Sequence, residues 1–346
     1  MAITRLGPNQ DITAAKIAGQ INFKNLIING DMSIAQRGTS FSGTGTRYTI
    51  DRMKNWVTAG ATGDFTVTQE TDVPSNTTFN NSYKLSVDTV ETPTGGGNIV
   101  FTQHIEGVMT QTLGHGLSSP PQATISFWVK SNKTGIYSLQ MKEDTTDEQY
   151  VLFEYTINSA DTWEKKTITW TGNSNHSLEN DNTTRLRPVF MLSSGPDDKV
   201  SPTSSWTTSS AFLCSTNQVN LFDSTSNYWQ ITGLQLEVGT SASDFEFLPY
   251  DVNLIRCQRY YQSVWQRASA TQDTAYSKNN IGIQLPTVMR VDPTTTVTGG
   301  ALIGHHNNAP SVQFTNKNGC AFEWTGSDYR SSGAMGRVTF TVDAEL

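Results

Sequence analysis

The sequence predicts an all-β protein, in which a jelly-roll β-sandwich is followed by a smaller C-terminal β-sandwich. Short runs of alternating apolar and polar residues follow one another from residue 25 onward, and clusters of Gly, Asn, Ser and Pro separate them. This spacing is typical of antiparallel sandwiches. Asp, Glu, Lys and Arg supply only 16% of the 346 residues, against roughly 25% in an average soluble protein. We therefore expect a surface rich in hydroxyl and amide groups, which suits uncharged, hydroxyl-rich partners.

The first 24 residues are predicted to form an extended arm rather than part of a sandwich. They contain Gly7-Pro8 and one short helical pattern, formed by Ile12, Ala15, Ile17 and Ala18. An arm of this composition needs a partner to become ordered. The alternative is a flexible terminus or a strand that packs on its own domain.

Residues 25–250 are predicted to form the larger sandwich. The clearest strand is 123–130, where alternation separates an apolar face from a polar one. The two faces carry Ile125, Phe127 and Val129 on one side, and Ser126, Trp128 and Lys130 on the other. The other predicted strands are 65–69, 83–87, 98–105, 135–141, 150–157, 163–170 and 228–239. Long polar loops are expected at 89–97, 172–184 and 193–210.

The pattern changes at Asp251, which is predicted to cap a short helix over residues 252–258. Leu254, Cys257 and Tyr261 follow at helical spacing. We place a domain boundary here, so that residues 251–346 form the smaller sandwich. Its predicted strands are 260–265, 281–285, 294–298, 311–314, 320–324 and 336–342. Because no repeat of 20–50 residues is present, a right-handed β-helix is not expected.

Three motifs resemble those of bacteriophage virion appendage proteins, the tail and head fibres whose body is a carbohydrate-binding-module-like jelly roll. The motifs are Asn25-Leu-Ile-Ile-Asn-Gly-Asp31-Met, Tyr48-Thr-Ile-Asp-Arg52 and Leu234-Gln-Leu-Glu-Val-Gly239. The resemblance spans residues 25–346. It implies a jelly roll whose first and last strands lie side by side, a homotrimer, host surface glycan as the ligand, and an N-terminal arm that docks on other virion proteins.

Docking by the arm would use Arg5, Leu6, Ile12 and Ile17. Three-fold association would also cover edge strands that a single sandwich leaves free to aggregate. The expected location is therefore the virion, assembled in the host cytoplasm. This agrees with an N-terminus that lacks the apolar core of a signal peptide.

Charge and hydropathy exclude two classes of partner. A net charge of −7 at pH 7 provides no footprint for nucleic acid, which needs clustered Lys and Arg. No stretch approaches the roughly 20 apolar residues of a membrane-spanning helix, so membrane insertion is not expected. The cysteines Cys214, Cys257 and Cys320 are odd in number and widely spaced, so buried free thiols are predicted rather than a disulfide framework.

The sequence does not predict an enzyme. The five histidines lack the spacing of a zinc protease, and no Gly-x-Ser-x-Gly elbow is present. The adjacent pair His305-His306 could bind a metal, but neighbours in a strand point to opposite faces. Five carboxylates could in principle supply the acid and the base for glycoside cleavage, although a hairpin turn over residues 142–149 explains most of them: Glu143, Asp144, Asp147, Glu148 and Glu154.

No cofactor is predicted, with a structural calcium ion as the one open alternative. Hard oxygen ligands are abundant in the sequence. The resemblance to jelly-roll modules places such an ion where the first and last strands meet. Asp31 and Glu237 are the expected ligands, although Asp31 could equally set the turn after the first strand.

Glycan recognition requires aromatic faces combined with polar side chains, because a pyranose offers apolar C–H patches and fixed hydroxyls. Most tryptophans of a sandwich belong to its core. Trp206 stands in a Ser- and Thr-rich loop, so it is the first candidate for a ligand contact. Trp324, Tyr329 and Arg330 form the second candidate.

The preferred interpretation is a non-enzymatic fibre or fibre-like virion protein that is anchored by its N-terminus and contacts host glycan. Two alternatives remain at this stage. One is a capsid or tail decoration or connector protein without a ligand. The other is a glycan depolymerase, which would release reducing ends from host polysaccharide.

Overall fold

A computed structural model describes residues 23–269, 278–303, 310–325 and 335–346 of the chain. The predicted anchoring residues Arg5, Leu6, Ile12 and Ile17 lie outside these ranges. So do Tyr329, Arg330 and the pair His305-His306. Within the described ranges the protein is built almost entirely of β-strands, as predicted.

Two antiparallel sheets form the larger sandwich. The six-stranded sheet contains, in spatial order, β1 (Ser40–Ser42), β4 (Asp64–Glu70), β5 (Ser82–Thr89), β16 (Tyr228–Val238), β8 (Gln122–Ser131) and β11 (Glu164–Thr171). The eight-stranded sheet contains β14 (Thr207–Thr208), β10 (Gln149–Ile157), β9 (Gly135–Glu143), β12 (Thr184–Ser194), β6 (Asn98–Thr102), β3 (Lys54–Val57) and β2 (Arg47–Tyr48), with β7 (Ile105–Glu106) paired to β12.

The inner faces of both sheets meet in one core, and aromatic rings occupy its centre. Trp229 is fully buried and donates its indole N–H to the Tyr155 hydroxyl at 3.1 Å. Phe101 and Phe190 pack against its ring at centroid distances of 5.3 and 5.7 Å. Ring pairs at these distances add to the burial of apolar area, so this cluster is a main source of the sandwich's stability.

Two predictions about strands were wrong. β12 was not predicted, because Pro188 lies near its middle and proline argues against a central strand. The strand nevertheless pairs with β9 on one side and β6 on the other. The opening segment, residues 25–31, is irregular rather than a strand, yet it does lie beside β16 as expected, through bonds from Leu26 N to Leu236 O and from Leu234 N to Gly30 O.

The opening motifs close the sandwich. The side chain of Asn25 accepts hydrogen bonds from Ile27 N and Leu236 N and donates to Leu234 O. A Cβ on Gly30 would lie 2.0 Å from Leu234 O, so only glycine fits there. Arg52, 1% exposed, donates to the carbonyl of His104. These motifs are therefore structural.

The smaller sandwich consists of two three-stranded sheets. One contains β17 (Tyr261–Ser269), β22 (Met335–Asp343) and β19 (Thr294–Ile303), and the other β18 (Lys278–Gln284), β21 (Gly319–Thr325) and β20 (Ser311–Asn316). Their shared core includes Phe322, Phe340 and Val342. The three cysteines are free and buried, as predicted.

Two α-helices complete the described fold: α1 (Gly107–Thr110) and α2 (Tyr250–Gln258). Neither is long or apolar enough to span a membrane. α2 confirms the predicted helix, but Asp251 is not its cap. Pro249 is the N-cap residue and Asp251 lies in the first turn. Tyr261 begins β17 instead of extending the helix.

Contacts link the smaller sandwich to the larger. The Arg52 guanidinium forms an ion pair with Glu345 and lies 3.5 Å from the centre of the Tyr260 ring. Arg259 pairs with the buried Glu106 at 2.9 Å. The division into domains at 24/25 and 250/251 stays a prediction.

Candidate functional site

The two sheets differ in what lies on their outer faces. β9 and β12 of the eight-stranded sheet are buried on both faces over most of their length. Their outer face is covered by residues 195–220, which we call the covering segment; it includes two more short strands, β13 (Lys199–Val200) and β15 (Cys214–Ser215). Phe212 and Cys214 of this segment pack on Val189 and Met191. This face is not available to a ligand.

The outer face of the six-stranded sheet is open. β4 and β5 alternate between buried and partly exposed residues. β8 shows the predicted alternation from Phe127 to Lys130, although Ser126, predicted on the polar face, is buried. Ile125, Phe127 and Val129 are fully buried, while Trp128 and Lys130 reach the outer face. Trp128 is half-buried, and it lies between its cross-strand neighbours Lys165 on β11 and Thr232 on β16.

A groove of about 390 Å³ lies on this face, and we call it the sheet-face groove. Its floor is the sheet around Trp128, Ser126 and Gly233. Its walls come from residues 76–79, which follow β4, and from residues 244–247, which follow β16. The volume lies within the usual range of ligand pockets.

Three phenylalanines form one wall. Phe79 lies 5.0 Å from both Phe245 and Phe247, and the latter two are 4.8 Å apart between ring centres. Phe79 is 7% exposed, whereas Phe247 is 46% exposed. Phe79 and Phe245 therefore support the ring of Phe247, which reaches solvent beside Trp128.

Gly233 makes room for this wall. Its φ is +63°, a conformation that favours glycine, and it lies where the pairing register of β16 and β8 shifts. A Cβ at this position would stand 2.5 Å from the Phe79 ring. The bulge and the missing side chain together let the Phe79 ring lie directly on the sheet.

Polar groups complete the sheet-face groove. Asn76, Ser126, Lys165 and Asp244 supply amide, hydroxyl, ammonium and carboxylate groups. Lys165 is exposed and forms no ion pair with the described residues, unlike Lys130 and Lys166, which pair with Asp72 and Glu164. The groove thus combines aromatic faces with free hydrogen-bonding groups.

Asp72 links Lys130 on β8 to Trp163, which precedes β11. Its carboxylate accepts from Lys130 Nζ at 2.7 Å and from Trp163 Nε1 at 3.3 Å. Partial burial raises the pKa of Asp72, but the hydrogen bonds from Lys130, Trp163 and Gln230, together with the charge of Lys130, hold the pKa below its ordinary value. Asp72 is therefore ionised at neutral pH and ties Trp163 to the sheet.

The structure places Trp206 away from this groove. Its indole N–H donates to the Thr171 carbonyl at 3.0 Å, and its ring lies edge-on to His115 at 5.2 Å. It is half-buried against the main core. Trp324 lies in β21 and pairs with Asn279 through the backbone. A ligand contact at either tryptophan stays a prediction.

Asp31 and Glu237 are both surrounded by hydrogen-bond donors. Asp31 accepts from Ser33 and Asn253, and burial raises the pKa of its carboxyl group. Glu237 accepts from Gln235 and from the backbone and hydroxyl of Ser243. Within the described ranges no three His, Cys, Asp or Glu side chains form a metal-binding group. A structural calcium ion at Asp31 and Glu237 stays a prediction.

The carboxylates considered for catalysis have structural partners. Glu143 is fully buried and binds His115 Nδ1 at 2.6 Å and Asn173 Nδ2 at 3.0 Å. Glu154 accepts from Ser215 and Asn217. None of these groups lines the sheet-face groove.

No protein-family model matches the sequence, and no curated protein matches it. Several solved structures are similar in part. The enzymatically active domain of bacteriophage CBA120 tailspike protein 4 matches 62% of this chain at 18% identity with a TM-score of 0.33, and the match covers 22% of that chain. A CBM4 structure matches 61% of this chain and 98% of its own, at 12% identity and a TM-score of 0.33.

The family 11 carbohydrate-binding module from Clostridium thermocellum, in complex with a β-1,3-1,4-mixed-linked tetrasaccharide, is a third similar structure. It matches 59% of this chain and 98% of its own, at 11% identity and a TM-score of 0.30. At these identities and TM-scores the similarities support no conclusion about what this chain does. The open sheet face and its aromatic groove are the features on which a function can be argued.

Proposed function

We propose that this chain is a non-enzymatic glycan-binding protein and that the sheet-face groove is its binding site. The observation on which the proposal rests is the position of Trp128. Trp128 points outward from the sheet and is only partly buried on the floor of the groove, which the 46% exposed ring of Phe247 also lines. Aromatic surface that stays in contact with water is a candidate contact for a ligand.

The chemistry of the groove suits a sugar ring. The apolar C–H face of a pyranose packs on an aromatic face, and its hydroxyls need donors and acceptors at the rim. Trp128 and Phe247 offer the aromatic faces, while Asn76, Ser126 and Lys165 offer the polar groups. Lys165 and Asp244 bring opposite charges, so the groove has no strong preference for an ionic ligand.

The wider role that we propose comes from the sequence resemblance. In this proposal the chain is part of a phage virion appendage, forms a homotrimer, docks on other virion proteins through residues 1–24 and contacts host surface glycan. It is assembled in the host cytoplasm and located in the virion. Light scattering over micromolar concentrations tests the oligomer: a strict monomer would remove that part of the proposal.

A non-enzymatic role is favoured by what the acidic groups do. Glu143, Glu148 and Glu154 bind His115, Lys142 and Ser215 respectively, so their charges are already used within the fold. Release of reducing ends from isolated host polysaccharide would contradict this and would favour the depolymerase.

Glycan binding is tested on an array that carries bacterial surface polysaccharides and plant β-glucans. Each glycan that binds is then titrated by calorimetry against the parent chain and two variants, Trp128→Ala and Trp206→Ala. We expect Trp128→Ala to abolish or strongly weaken binding, and Trp206→Ala to leave it unchanged. The opposite result would move the site to the loop that the sequence predicted. No binding by the parent chain would favour a decoration or connector protein.

A further inference from the structure

The outer face of one sheet in the smaller sandwich carries an array of hydroxyl groups. This sheet consists of β17, β22 and β19, with β22 in the middle. Val338, Phe340 and Val342 of β22 belong to the core of the smaller sandwich, so the residues between them point to the opposite side. These outward residues are Thr339 and Thr341, and both are only partly buried.

Strand pairing arranges the outward residues in rows, and we call two neighbouring rows the hydroxyl face. One row is Ser263, Thr341 and Thr296, and the next is Trp265, Thr339 and Gly299. No side chain in these two rows carries a charge. Ser263 and Thr296 are exposed. In the part of the chain that the structure describes, no hydrogen bond engages the hydroxyls of Ser263, Thr296 or Thr339.

Trp265 distinguishes this face from an ordinary sheet surface. Outward threonines alone need no further explanation, because β-branched residues favour strands. Tryptophan, however, is highly buried on average, and Trp265 is 58% exposed. Its neighbour Val264 packs on the core, so alternation places Trp265 on the outer side. The face therefore combines an exposed aromatic ring with hydroxyl groups.

Gly299 leaves room at the other end of the Trp265 row. A Cβ at this position would lie 3.9 Å from Thr339, which is ordinary van der Waals contact. Packing within the sheet therefore does not require glycine there. The pairing register shifts between Val297 and Gly299. A glycine inside a strand often marks such a bulge or a place where a ligand approaches the backbone closely.

We infer that the hydroxyl face is a second glycan-binding site, at which a sugar ring stacks on Trp265. The apolar C–H side of the sugar covers the indole, and its hydroxyls form hydrogen bonds with the Ser and Thr side chains. This inference extends the proposed function to the smaller sandwich and does not depend on the sheet-face groove.

The size of the hydroxyl face favours a glycan over a protein partner. Two rows across three strands cover roughly 200 Å², whereas a stable protein interface needs about 800 Å² from each partner. A flat face contacts only one side of a sugar, so its affinity should be lower than that of the sheet-face groove. In one chain the two sites would add their affinities for a long polysaccharide through avidity.

A titration of the full chain tests this inference, followed by the indole N–H signals of ¹⁵N-tryptophan-labelled protein. Trp265→Phe assigns the Trp265 signal. The probes are the neutral oligosaccharides cellotetraose, laminaritetraose, mannotetraose and N-acetylchitotetraose. Each is added to about 20 mM, because a Kd in the millimolar range is expected. An unchanged signal of the buried Trp229 confirms that each variant is folded.

We expect at least one probe to shift the Trp265 signal, equally in the parent and in Trp128→Ala. Gly299→Val places a side chain in the row and should raise the Kd at least about 5-fold. Thr296→Val removes a hydroxyl while keeping the shape and should raise it about 2- to 3-fold. Phe314→Ala is the matched control: its ring is 55% exposed on β20 of the other sheet, so the Kd should not change.

A Trp265 signal that no probe shifts would overturn the inference. A shift that is lost in Trp128→Ala, or an affinity that Gly299→Val leaves unchanged, would overturn it too. A signal that moves on dilution of the protein but not with sugar would mean that a second copy covers this face instead. A shift at Trp265 without one at Trp128 would support the hydroxyl face and contradict the sheet-face groove, so the two proposals fail separately.

Discussion

The outer faces of the two sheets carry similar residue types, but the covering segment packs on one face and the other face is open. Trp56 on β3 and Trp128 on β8 both point away from the core. Both side chains are partly buried, but Trp56 stacks on His104 at 5.8 Å and meets Phe212 of the covering segment at 5.3 Å, whereas Trp128 lines the sheet-face groove. An outward aromatic residue therefore has a structural role where a segment covers it and is free for a ligand where none does.

The largest contrast is expected between two phenylalanines in stability. Phe212→Ala removes a ring that is 9% exposed from the covered face, and we expect it to lower the free energy of unfolding by about 3 kcal/mol. Phe247→Ala on the open face should lower it by about 1 kcal/mol, since that ring is 46% exposed. Urea denaturation measures both. Equal losses in the free energy of unfolding would contradict the distinction between a covered face and an open face.

The two tryptophans provide the matching contrast in binding. Trp128→Ala is expected to weaken glycan binding by about 2 kcal/mol, roughly 30-fold, because it removes the aromatic floor of the groove. Its stability should change by about 1 kcal/mol or less. Trp56→Ala should do the reverse, with about 2 kcal/mol lost in stability and affinity unchanged. For both variants, calorimetric titration measures the affinity and denaturation measures the stability.

The covered face should also make the stability of the protein depend on pH, through Lys54. Burial is the main cause that lowers the pKa of Lys54 to about 8, and the charges of the nearby Arg187 and Arg52 contribute to the same shift. Since this pKa lies below the ordinary 10.5, the buried ammonium destabilises the fold below about pH 8, and that cost falls as pH rises from about 8 towards 10.

Lys54→Met is therefore expected to be more stable than the parent at pH 7, by about 1 kcal/mol after allowance for partial solvent screening. The difference should shrink between about pH 8 and pH 10. Thermal unfolding of both proteins over this range measures it. A stability difference between Lys54→Met and the parent that grows as pH rises would contradict this explanation.

The smallest effect is expected at the charged rim of the open face. Lys165→Gln removes the exposed ammonium opposite Trp128 and should change the affinity for a neutral glycan by no more than about 3-fold, with little dependence on salt. Titrations at 50 and 300 mM salt test this. A loss above 10-fold that depends on salt would indicate an acidic glycan instead.

Much of this architecture follows from local sequence. Alternation in residues 123–130 was sufficient to place Trp128 on the outer face, since each strand residue points opposite to the next. β12 escaped prediction because Pro188 is unusual in a central strand. There, β12 is paired with β6 on one side and β9 on the other, so the loss of a single N–H donor leaves most of its ladder in place.

The candidate site depends more on tertiary structure. Phe79 and Phe247 are 168 positions apart in the chain, and nothing local shows that they meet on one wall. Gly233 was the nearest signal, because a glycine inside a strand often marks a bulge or a close approach. Trp206 shows the converse: its Ser- and Thr-rich loop suggests exposure, yet Thr171 and His115 hold its ring.

The central claim is that a glycan binds on the open face at Trp128. The most direct measurement is a titration followed by the indole N–H signals of ¹⁵N-tryptophan-labelled protein, with the Trp128 signal assigned from Trp128→Phe. Addition of a glycan identified on the array should shift the Trp128 signal and leave those of Trp56 and Trp229 in place. A shift at Trp206 with no change at Trp128 would contradict the claim.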